Sequence, residues 1–208
     1  MNFFITGTDT DAGKTFVTSL LTRSLRSAGF DTVAMKPVSC GEPVDSQTLH
    51  AAANGELSIE EVTPVAYKAP LAPIEAARLE GRVFDPEEIL PTFRHLRSSR
   101  RSLLVEGVGG WLVPLTANYT TADLAKAMEL PVLLVVRNRL GAINHALLTL
   151  ESIKTHGLTC GGIVLNNHPA DDGDLSREGN SRILPTLTEV PILFEIESGQ
   201  TTLDLAVA

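Results

Sequence analysis

Short apolar runs, each bounded by turn-forming residues, alternate along this chain with stretches whose apolar positions recur at helical spacing. The apolar runs predict six β-strands, at 2–6, 32–36, 102–106, 131–136, 160–165 and 191–194. Nearly continuous apolar strands are typical of a parallel sheet that is covered on both faces. The pattern therefore predicts an α/β fold with a mostly parallel central sheet and helices on both faces.

The stretches between the strands predict the connections. Residues 14–28 and 142–155 repeat apolar side chains every three or four positions, which predicts two crossover helices. Segment 68–75 contains two prolines and predicts a loop or the start of a helix, whereas the polar segment 167–178 predicts a mobile connection. Ligands of such sheets bind at the carboxyl ends of the strands, so candidate chemistry is sought there.

Composition narrows the class of protein. With 208 residues and 43% hydrophobic content, the chain predicts a single domain over 1–208. The formal net charge of -8 argues against nucleic acid as a main partner. Basic residues are dense in one run only, which is best interpreted as a solvated helix end: Arg94, Arg97, Arg100 and Arg101.

Cysteine usage and the start of the chain bear on the compartment. Cys40 and Cys160 are far apart and lack the spacing of a metal site, which is typical of reduced thiols in a cytoplasm. The chain starts directly in a predicted strand, without a charged leader, and no apolar run approaches membrane-spanning length. We therefore expect a soluble, cytoplasmic protein with no membrane partner.

The most informative motif lies between the first strand and the first helix. Gly7 is followed, after five residues, by Gly13, Lys14 and Thr15, and this arrangement predicts a phosphate-binding loop and, with the parallel sheet, a P-loop NTPase-like fold. Backbone N–H groups and the helix N-terminus would hold an anion, the lysine would reach outer phosphate oxygens, and the threonine hydroxyl could ligate Mg²⁺. The gap is one residue longer than usual. A glycine turn that ends in Gly-Lys-Thr by chance is the alternative.

Other strand candidates also end in polar residues. Lys36 could neutralise a transferring phosphoryl group or could merely close an edge strand. Glu106 stands where related nucleotide enzymes hold a Mg²⁺-organising acid, and the glycines behind it permit close backbone approach to a ligand. On the residues alone, Asp45 is a weaker candidate for a metal ligand, because Asp and Pro near a loop are usually turn formers. Asn166 could read a base edge with its amide or could simply form a turn.

In combination these residues resemble the dethiobiotin synthetases from the first strand to about residue 166. The long gap in the phosphate loop matches that family. The matching segments are Thr6-Gly7-Thr8-Asp9-Thr10 through Gly13-Lys14-Thr15, Lys36-Pro37-Val38, Val105-Glu106-Gly107 with Gly109-Gly110-Trp111, and Leu140-Gly141 with Ile143-Asn144-His145.

The resemblance implies a role for each site residue. It implies that Mg²⁺ is held by Thr15, Asp45 and Glu106, and that Thr10, Lys14 and Lys36 lie close to the substrate and the transferred phosphate. The implied nucleotide contacts are Asp11, Ala12, Gly13, Lys14, Thr15 and Asn166. The implied substrate contacts are Thr10, Lys36, Cys40, Gly109, Leu140, Gly141 and Asn144, of which the last three would bind the substrate carboxylate in a homodimer whose active site lies at the interface.

The implied reaction joins CO₂ to 7,8-diaminononanoate at the expense of ATP. One amine captures CO₂ as a carbamate, ATP phosphorylates the carbamate, and the second amine closes a five-membered ureido ring, which leaves ADP and phosphate. The site has no obvious nucleophile, so positioning and charge stabilisation would carry the catalysis.

The chain departs from the family pattern at three places: Cys40 replaces a small hydroxyl residue, 70–74 lack a Ser-Pro-His character, and 193–197 replace a Gly-Glu-Ile-Pro-like segment. The main alternative is a partitioning-type P-loop switch ATPase, but such proteins carry a lysine where this chain has Asp9. An amidase-coupled synthase would need a further glutaminase domain, and an inactive paralogue stays a third alternative.

Overall fold

The computed structural model describes residues 1–99 and 101–205. The strands, in chain order, are β1 (Asn2–Gly7), β2 (Thr32–Met35), β3 (Val38–Cys40), β4 (Val65–Tyr67), β5 (Ser102–Glu106), β6 (Pro114–Thr116), β7 (Tyr119–Thr120), β8 (Val132–Arg137), β9 (Cys160–Asn166) and β10 (Ile192–Ile196). The α-helices are α1 (Lys14–Ser27), α2 (Val44–Ala52), α3 (Ile59–Val62), α4 (Pro73–Leu79), α5 (Leu90–Ser98), α6 (Thr121–Met128), α7 (Ala142–Thr155) and α8 (Ser176–Ile183). Short 3₁₀ helices cover Pro86–Glu88, Pro169–Asp171 and Leu184–Thr186.

Six strands form one parallel sheet in the order β10-β9-β8-β1-β5-β2. All six strands predicted from the apolar runs are therefore confirmed. β1 lies in the interior of the sheet, where Ile5 aligns with Glu106 on one neighbour and with Leu133 on the other. The phosphate loop that follows β1 thus begins in the middle of the sheet's carboxyl edge, beside the end of β5.

Helices cover both faces of the sheet, as the doubly apolar strands predict. Phe4 is fully buried on one face, in a cluster that includes Leu103 and side chains of α5 and α6. Its neighbour Ile5 is equally buried on the opposite face, where it packs in a cluster with Leu104 and Leu20 of α1. Each such burial stabilises the fold by about 1.5–3 kcal/mol, which holds the sheet edge that carries the site.

Two short ribbons lie outside the main sheet and were not predicted. β3 pairs with β4 in parallel, and β6 pairs with β7 antiparallel. The predicted crossover helices correspond to α1 and α7, and segment 68–75 contains the start of α4 at Pro73, a position at which a missing N–H is harmless. Segment 167–178 contains a 3₁₀ helix and the start of α8.

The basic run makes contacts within the protein. Arg97 donates to the carbonyl of Met128, and Arg101 forms an ion pair with Asp31 at 2.7 Å. Arg100 lies outside the described residues. No helix in the described part of the chain is both long and apolar enough to cross a bilayer.

Candidate functional site

A cavity of about 650 Å³ opens at the carboxyl ends of β1, β2 and β5. It brings together most of the residues predicted to act: Thr10, Asp11, Gly13, Lys14, Thr15, Lys36, Cys40, Asp45, Glu106 and Gly109. These residues come from loops and strand ends that are far apart in sequence, and the parallel sheet assembles them because all its strands end at the same edge.

The phosphate loop enters α1 through a left-handed turn. Asp11 and Gly13 both have positive φ, of 60° and 90°, and Gly13 caps α1 without a side-chain hydrogen bond. The first turn of α1 carries no acidic residue, so no charge offsets the positive end of the helix. Lys14, nearly buried, donates from Nζ to the carbonyl of Asp9 at 3.2 Å. This geometry suits the binding of a phosphate group.

A buried polar cluster lies on the other side of the cavity. Lys36 Nζ donates to Asp45 Oδ2 at 2.5 Å and to Glu106 Oε1 at 2.7 Å. Thr15 Oγ1 donates to the same Glu106 oxygen at 2.7 Å. Glu106 is fully buried and the Lys36 side chain is 5% exposed. The Lys36 ammonium therefore connects the end of β2 with α2 and with the end of β5, and the Thr15 hydroxyl connects α1 with the end of β5.

The charges of this cluster are strongly coupled. Burial lowers the pKa of Lys14, and the positive charge of Lys36 adds to that effect while Glu106 opposes it. Burial alone would also lower the pKa of Lys36, but Glu106 and Asp45 outweigh it and raise the pKa above its ordinary value. Burial raises the pKa of Asp45, yet Lys36 holds it below the ordinary value overall. Lys36 and Asp45 are thus held in their charged forms.

The cluster fits a hard divalent cation. Glu106 Oε2 is buried and has no hydrogen-bond partner among the described residues, so the carboxylate retains an unused donor oxygen. Asp45 and Thr15 present further oxygens within the same cluster. No group of three His, Cys, Asp or Glu side chains suited to a metal occurs in the described ranges. Two carboxylates and a hydroxyl therefore leave coordination positions for phosphate and water, which is the pattern that Mg²⁺ prefers.

The far wall of the cavity is apolar. Its lining residues are Pro70, Leu71, Ala72, Val108 and Val113. Gly109, at φ 60°, closes this wall because a Cβ there would lie 2.6 Å from Val113 Cγ2. The wall lies in one cavity with the phosphate loop and the charged cluster, so it suits a ligand with an alkyl chain and a polar end.

Cys40 lies at the boundary between the charged and apolar parts of the cavity. Burial raises the pKa of its thiol to about 11, although Lys36 partly opposes the shift. The thiol is therefore neutral near pH 7, and it offers a weak donor where a hydroxyl was expected. Ser39 lines the cavity beside it and was not predicted as a site residue.

Asn166 lies behind the phosphate loop rather than on the cavity wall. Its side-chain nitrogen donates to the carbonyl of Ala12 at 2.9 Å, and the residue is 2% exposed. Ala12 is also buried. Whether Asn166 contacts a base stays a prediction.

The predicted carboxylate-binding loop lies away from this cavity. Leu140, Gly141 and Asn144 are exposed at the start of α7 and do not line the cavity of their own chain. The N–H of Leu140 donates to Asp174 Oδ2 at 2.9 Å. Sequence reasoning missed this contact because it joins residues 34 positions apart and so depends on the tertiary fold, whereas the bond that Asp174 accepts from Ser176 is local.

Buried asparagines support the same loop. Asn138 donates to Asn167 at 2.9 Å and accepts from Asn180 at 2.8 Å. Asn180 also donates to the carbonyl of Arg139 at 3.0 Å. Polar residues at strand ends hint at such a network, but their partners could not be read from the sequence.

Comparison with known proteins gives consistent similarities. A family model described as an AAA domain matches residues 1–202. The chain is 43% identical to the ATP-dependent dethiobiotin synthetase BioD of Akkermansia muciniphila, over 99% of this chain and 96% of that protein. It is 40% identical to the enzyme of the same name from Bacillus velezensis, over 92% of this chain and 84% of that protein.

Solved structures show the fold at lower identity. The septum site-determining protein MinD of Pyrococcus horikoshii, complexed with Mg-ADP, is 17% identical with a TM-score of 0.58, over 95% of this chain and 82% of that one. A ParA family ATPase from Chlorobium tepidum is 12% identical with a TM-score of 0.56, over 96% of this chain and 85% of that one. The six-stranded sheet is thus the P-loop NTPase fold, as predicted.

Proposed function

The chain belongs to the ATP-dependent dethiobiotin synthetases, and from that membership we propose that it forms dethiobiotin from 7,8-diaminononanoate, CO₂ and ATP. It is accordingly a ligase that forms C–N bonds. The observation that carries the proposal is one cavity that combines a phosphate loop, a buried lysine–carboxylate cluster and an apolar wall. We further propose that residues 1–208 act as one domain in the cytoplasm, and the two free cysteines support that compartment.

The phosphate loop provides the nucleotide end of the site. The N–H groups at Asp11, Gly13 and Thr15 and the ammonium of Lys14 bind the ATP phosphates, supported by the open N-terminus of α1. Ala12 takes part through its backbone and Asn166 through its contact with the loop.

The diamine occupies the remaining cavity, with its alkyl chain along the apolar wall near Gly109 and its amines near Thr10, Lys36 and Cys40. One amine attacks CO₂, loses a proton and becomes a carbamate. A carbamate oxygen then attacks the γ-phosphorus and releases ADP, and the second amine displaces phosphate from the carbonyl carbon to close the ring. Lys14 and Lys36 neutralise the charge that moves with the phosphoryl group, and the walls exclude water from the carbamate.

Thr15, Asp45 and Glu106 would hold Mg²⁺ at the phosphate end. The ion would neutralise phosphate oxygens when bound. The chain's own contribution is a rigid donor set, because Glu106 and Lys36 are buried and mutually bonded.

We propose a homodimer whose active site lies at the interface, with Leu140, Gly141 and Asn144 binding the substrate carboxylate of the facing subunit. Exposed leucines support this arrangement. Leu112 and Leu148 are 55% and 63% exposed and line a second hollow that adjoins Asp9 of the phosphate loop. Neighbouring apolar side chains of this exposure are typical of a surface that another protein covers.

The direct test mixes the purified protein with diaminononanoate, bicarbonate, Mg²⁺ and ATP and measures dethiobiotin by mass spectrometry. The wild type forms product, and Lys14→Ala abolishes turnover because it removes the buried phosphate-binding cation. Arg23→Ala, an exposed change on the same helix, is the matched control with normal turnover. Absence of product from the wild type, beside an active relative, overturns the proposed function, and full activity of Lys14→Ala overturns the phosphate-loop assignment.

A further inference from the structure

The contact between Asn166 and the phosphate loop joins residues that are 154 positions apart in sequence. Asn166 ends β9, which is hydrogen-bonded between β8 and β10. Its amide nitrogen donates to the buried carbonyl of Ala12 at 2.9 Å. A loop peptide is thus fixed to an interior strand of the sheet.

The direction of this bond determines the direction of the next N–H group. In a trans peptide the carbonyl oxygen and the following N–H point to opposite sides, and the described chain contains no cis peptide. Since the oxygen of Ala12 faces Asn166, the N–H of Gly13 faces away from Asn166. Gly13 lines the cavity, whereas Ala12 and Asn166 do not.

The contact of Asn166 with the phosphate loop requires a glycine at position 13. A Cβ at Gly13 would lie 2.0 Å from the side-chain nitrogen of Asn166, and the residue has φ of 90°, where L side chains are strained. Only glycine allows the Asn166 amide to reach the loop. The amide and the glycine therefore form a matched pair.

We infer that Asn166 is a positioning residue that orients the Ala12–Gly13 peptide and thereby aims the N–H of Gly13 at phosphate. The inference rests on the proposed phosphate site. It differs from base recognition in one measurable respect: the effect of Asn166 extends to ligands that carry phosphates and no base.

The test measures the binding of inorganic tripolyphosphate, ATP and GTP by calorimetry to the wild type, Asn166→Ala, Asn166→Ser and Asn167→Ala. We expect both Asn166 variants to bind tripolyphosphate and both nucleotides about three- to tenfold more weakly, since one neutral hydrogen bond is lost. Asn167→Ala is the matched control, and we expect its tripolyphosphate affinity to be unchanged. Asn167 accepts from Asn138 and donates to Glu197, and it has no bond with the phosphate loop. Circular dichroism selects the folded variants.

Gly13→Ala supplies a second measurement. Its methyl group must displace the Asn166 amide, so the combined variant Gly13→Ala with Asn166→Ala loses less affinity than the sum of the two single losses. Additive losses overturn the inference. Unchanged tripolyphosphate affinity in both Asn166 variants, with a lost preference for ATP over GTP, also overturns it in favour of base reading. If the wild-type protein binds ATP but not tripolyphosphate, an effect of Asn166 on ligands without a base is excluded and the inference is overturned. If it binds neither ligand, the proposed phosphate site itself is contradicted.

Discussion

The ammonium of Lys36 bridges both carboxylates on which the proposed metal site depends. It lies 2.5 Å from Asp45 and 2.7 Å from Glu106, in a setting where the two partners raise its pKa despite burial. The same cation is proposed to contact the transferred phosphoryl group. Lys36 would therefore compete with Mg²⁺ for the carboxylates when no nucleotide is bound, and its displacement from them would free the ammonium for the transferred phosphoryl group.

Lys36→Met tests this competition. Two charges at hydrogen-bond distance near a protein surface interact by about 4 kcal/mol, so we expect Mg²⁺ to bind the nucleotide-free variant at least about tenfold more tightly. Isothermal calorimetry gives the affinity, and turnover is lost. Lys126→Met, a change at an exposed lysine that does not line the cavity, is the control. Equal Mg²⁺ affinity in Lys36→Met and the wild type contradicts the bridging role.

Glu106→Gln tests the carboxylate itself. The amide keeps the size of the side chain but loses the charge and one acceptor oxygen, and loss of even an outer partner of a metal ligand typically costs about 10–100-fold in metal affinity. We expect the Mg²⁺ concentration that gives half-maximal turnover to rise at least about tenfold. Glu60→Gln, a change at an exposed acid that does not line the cavity, is the control. An unchanged Mg²⁺ requirement removes Glu106 from the ligand set.

Residue chemistry was only partly predictable from the sequence. Lys36 and Glu106 stand at the ends of apolar runs and Lys14 follows the loop after β1, so their convergence follows from the parallel sheet. Asp45 lies at the start of α2 and reaches the site through Lys36, which no local pattern reveals. The contact of Asn166 with Ala12 depends in the same way on the tertiary fold.

At the scale of elements, segment 167–178 fixes the loop before α7. Asp174 accepts from the N–H of Leu140, and Arg137 pairs with Asp171 at 2.5 Å. Its mobility stays a prediction, and its contacts with Leu140 and Arg137 could not be read from its polar sequence. The six strands of the main sheet were predictable because burial on both faces makes them continuous apolar runs. β3, β4, β6 and β7 have only two or three residues each, so they leave no periodic signal in the sequence.

Asp174→Ala tests the proposed role of this loop. Loss of the acceptor for Leu140 should loosen the start of α7, so KM for diaminononanoate should rise about three- to tenfold while KM for ATP stays constant. Steady-state kinetics with each substrate varied in turn measure the split. Asp172→Ala, which removes only a contact with Arg177, serves as the matched control. An equal change in both KM values counts against a role in binding the substrate tail.

At the scale of the whole molecule, the proposed dimer completes the site. We propose that the cavity holds the ATP phosphates and the substrate amines, while the predicted carboxylate loop is exposed on the same chain and does not line that cavity. The P-loop fold alone is shared with switch ATPases such as MinD, so the fold does not determine the reaction. The family membership does.

Leu148→Asp tests the proposed dimer surface. A charge in place of a leucine that is covered on association costs about 3 kcal/mol, which weakens dimerisation by about a hundredfold. Sedimentation velocity should show monomers, with loss of turnover. Leu187→Asp, similarly exposed but outside the hollow beside the phosphate loop, should remain dimeric. If both variants sediment like the wild type, Leu148 is not in the interface.

We propose that this site phosphorylates a carbamate and then closes a ring. Supplying CO₂ labelled with oxygen-18, together with diaminononanoate, Mg²⁺ and ATP, follows the oxygen that passes from the carbamate to phosphorus. We expect dethiobiotin and phosphate in equal amounts, with one labelled oxygen transferred to each phosphate and no product from Lys14→Ala. Phosphate without transferred label, or ATP hydrolysis without dethiobiotin, would contradict it.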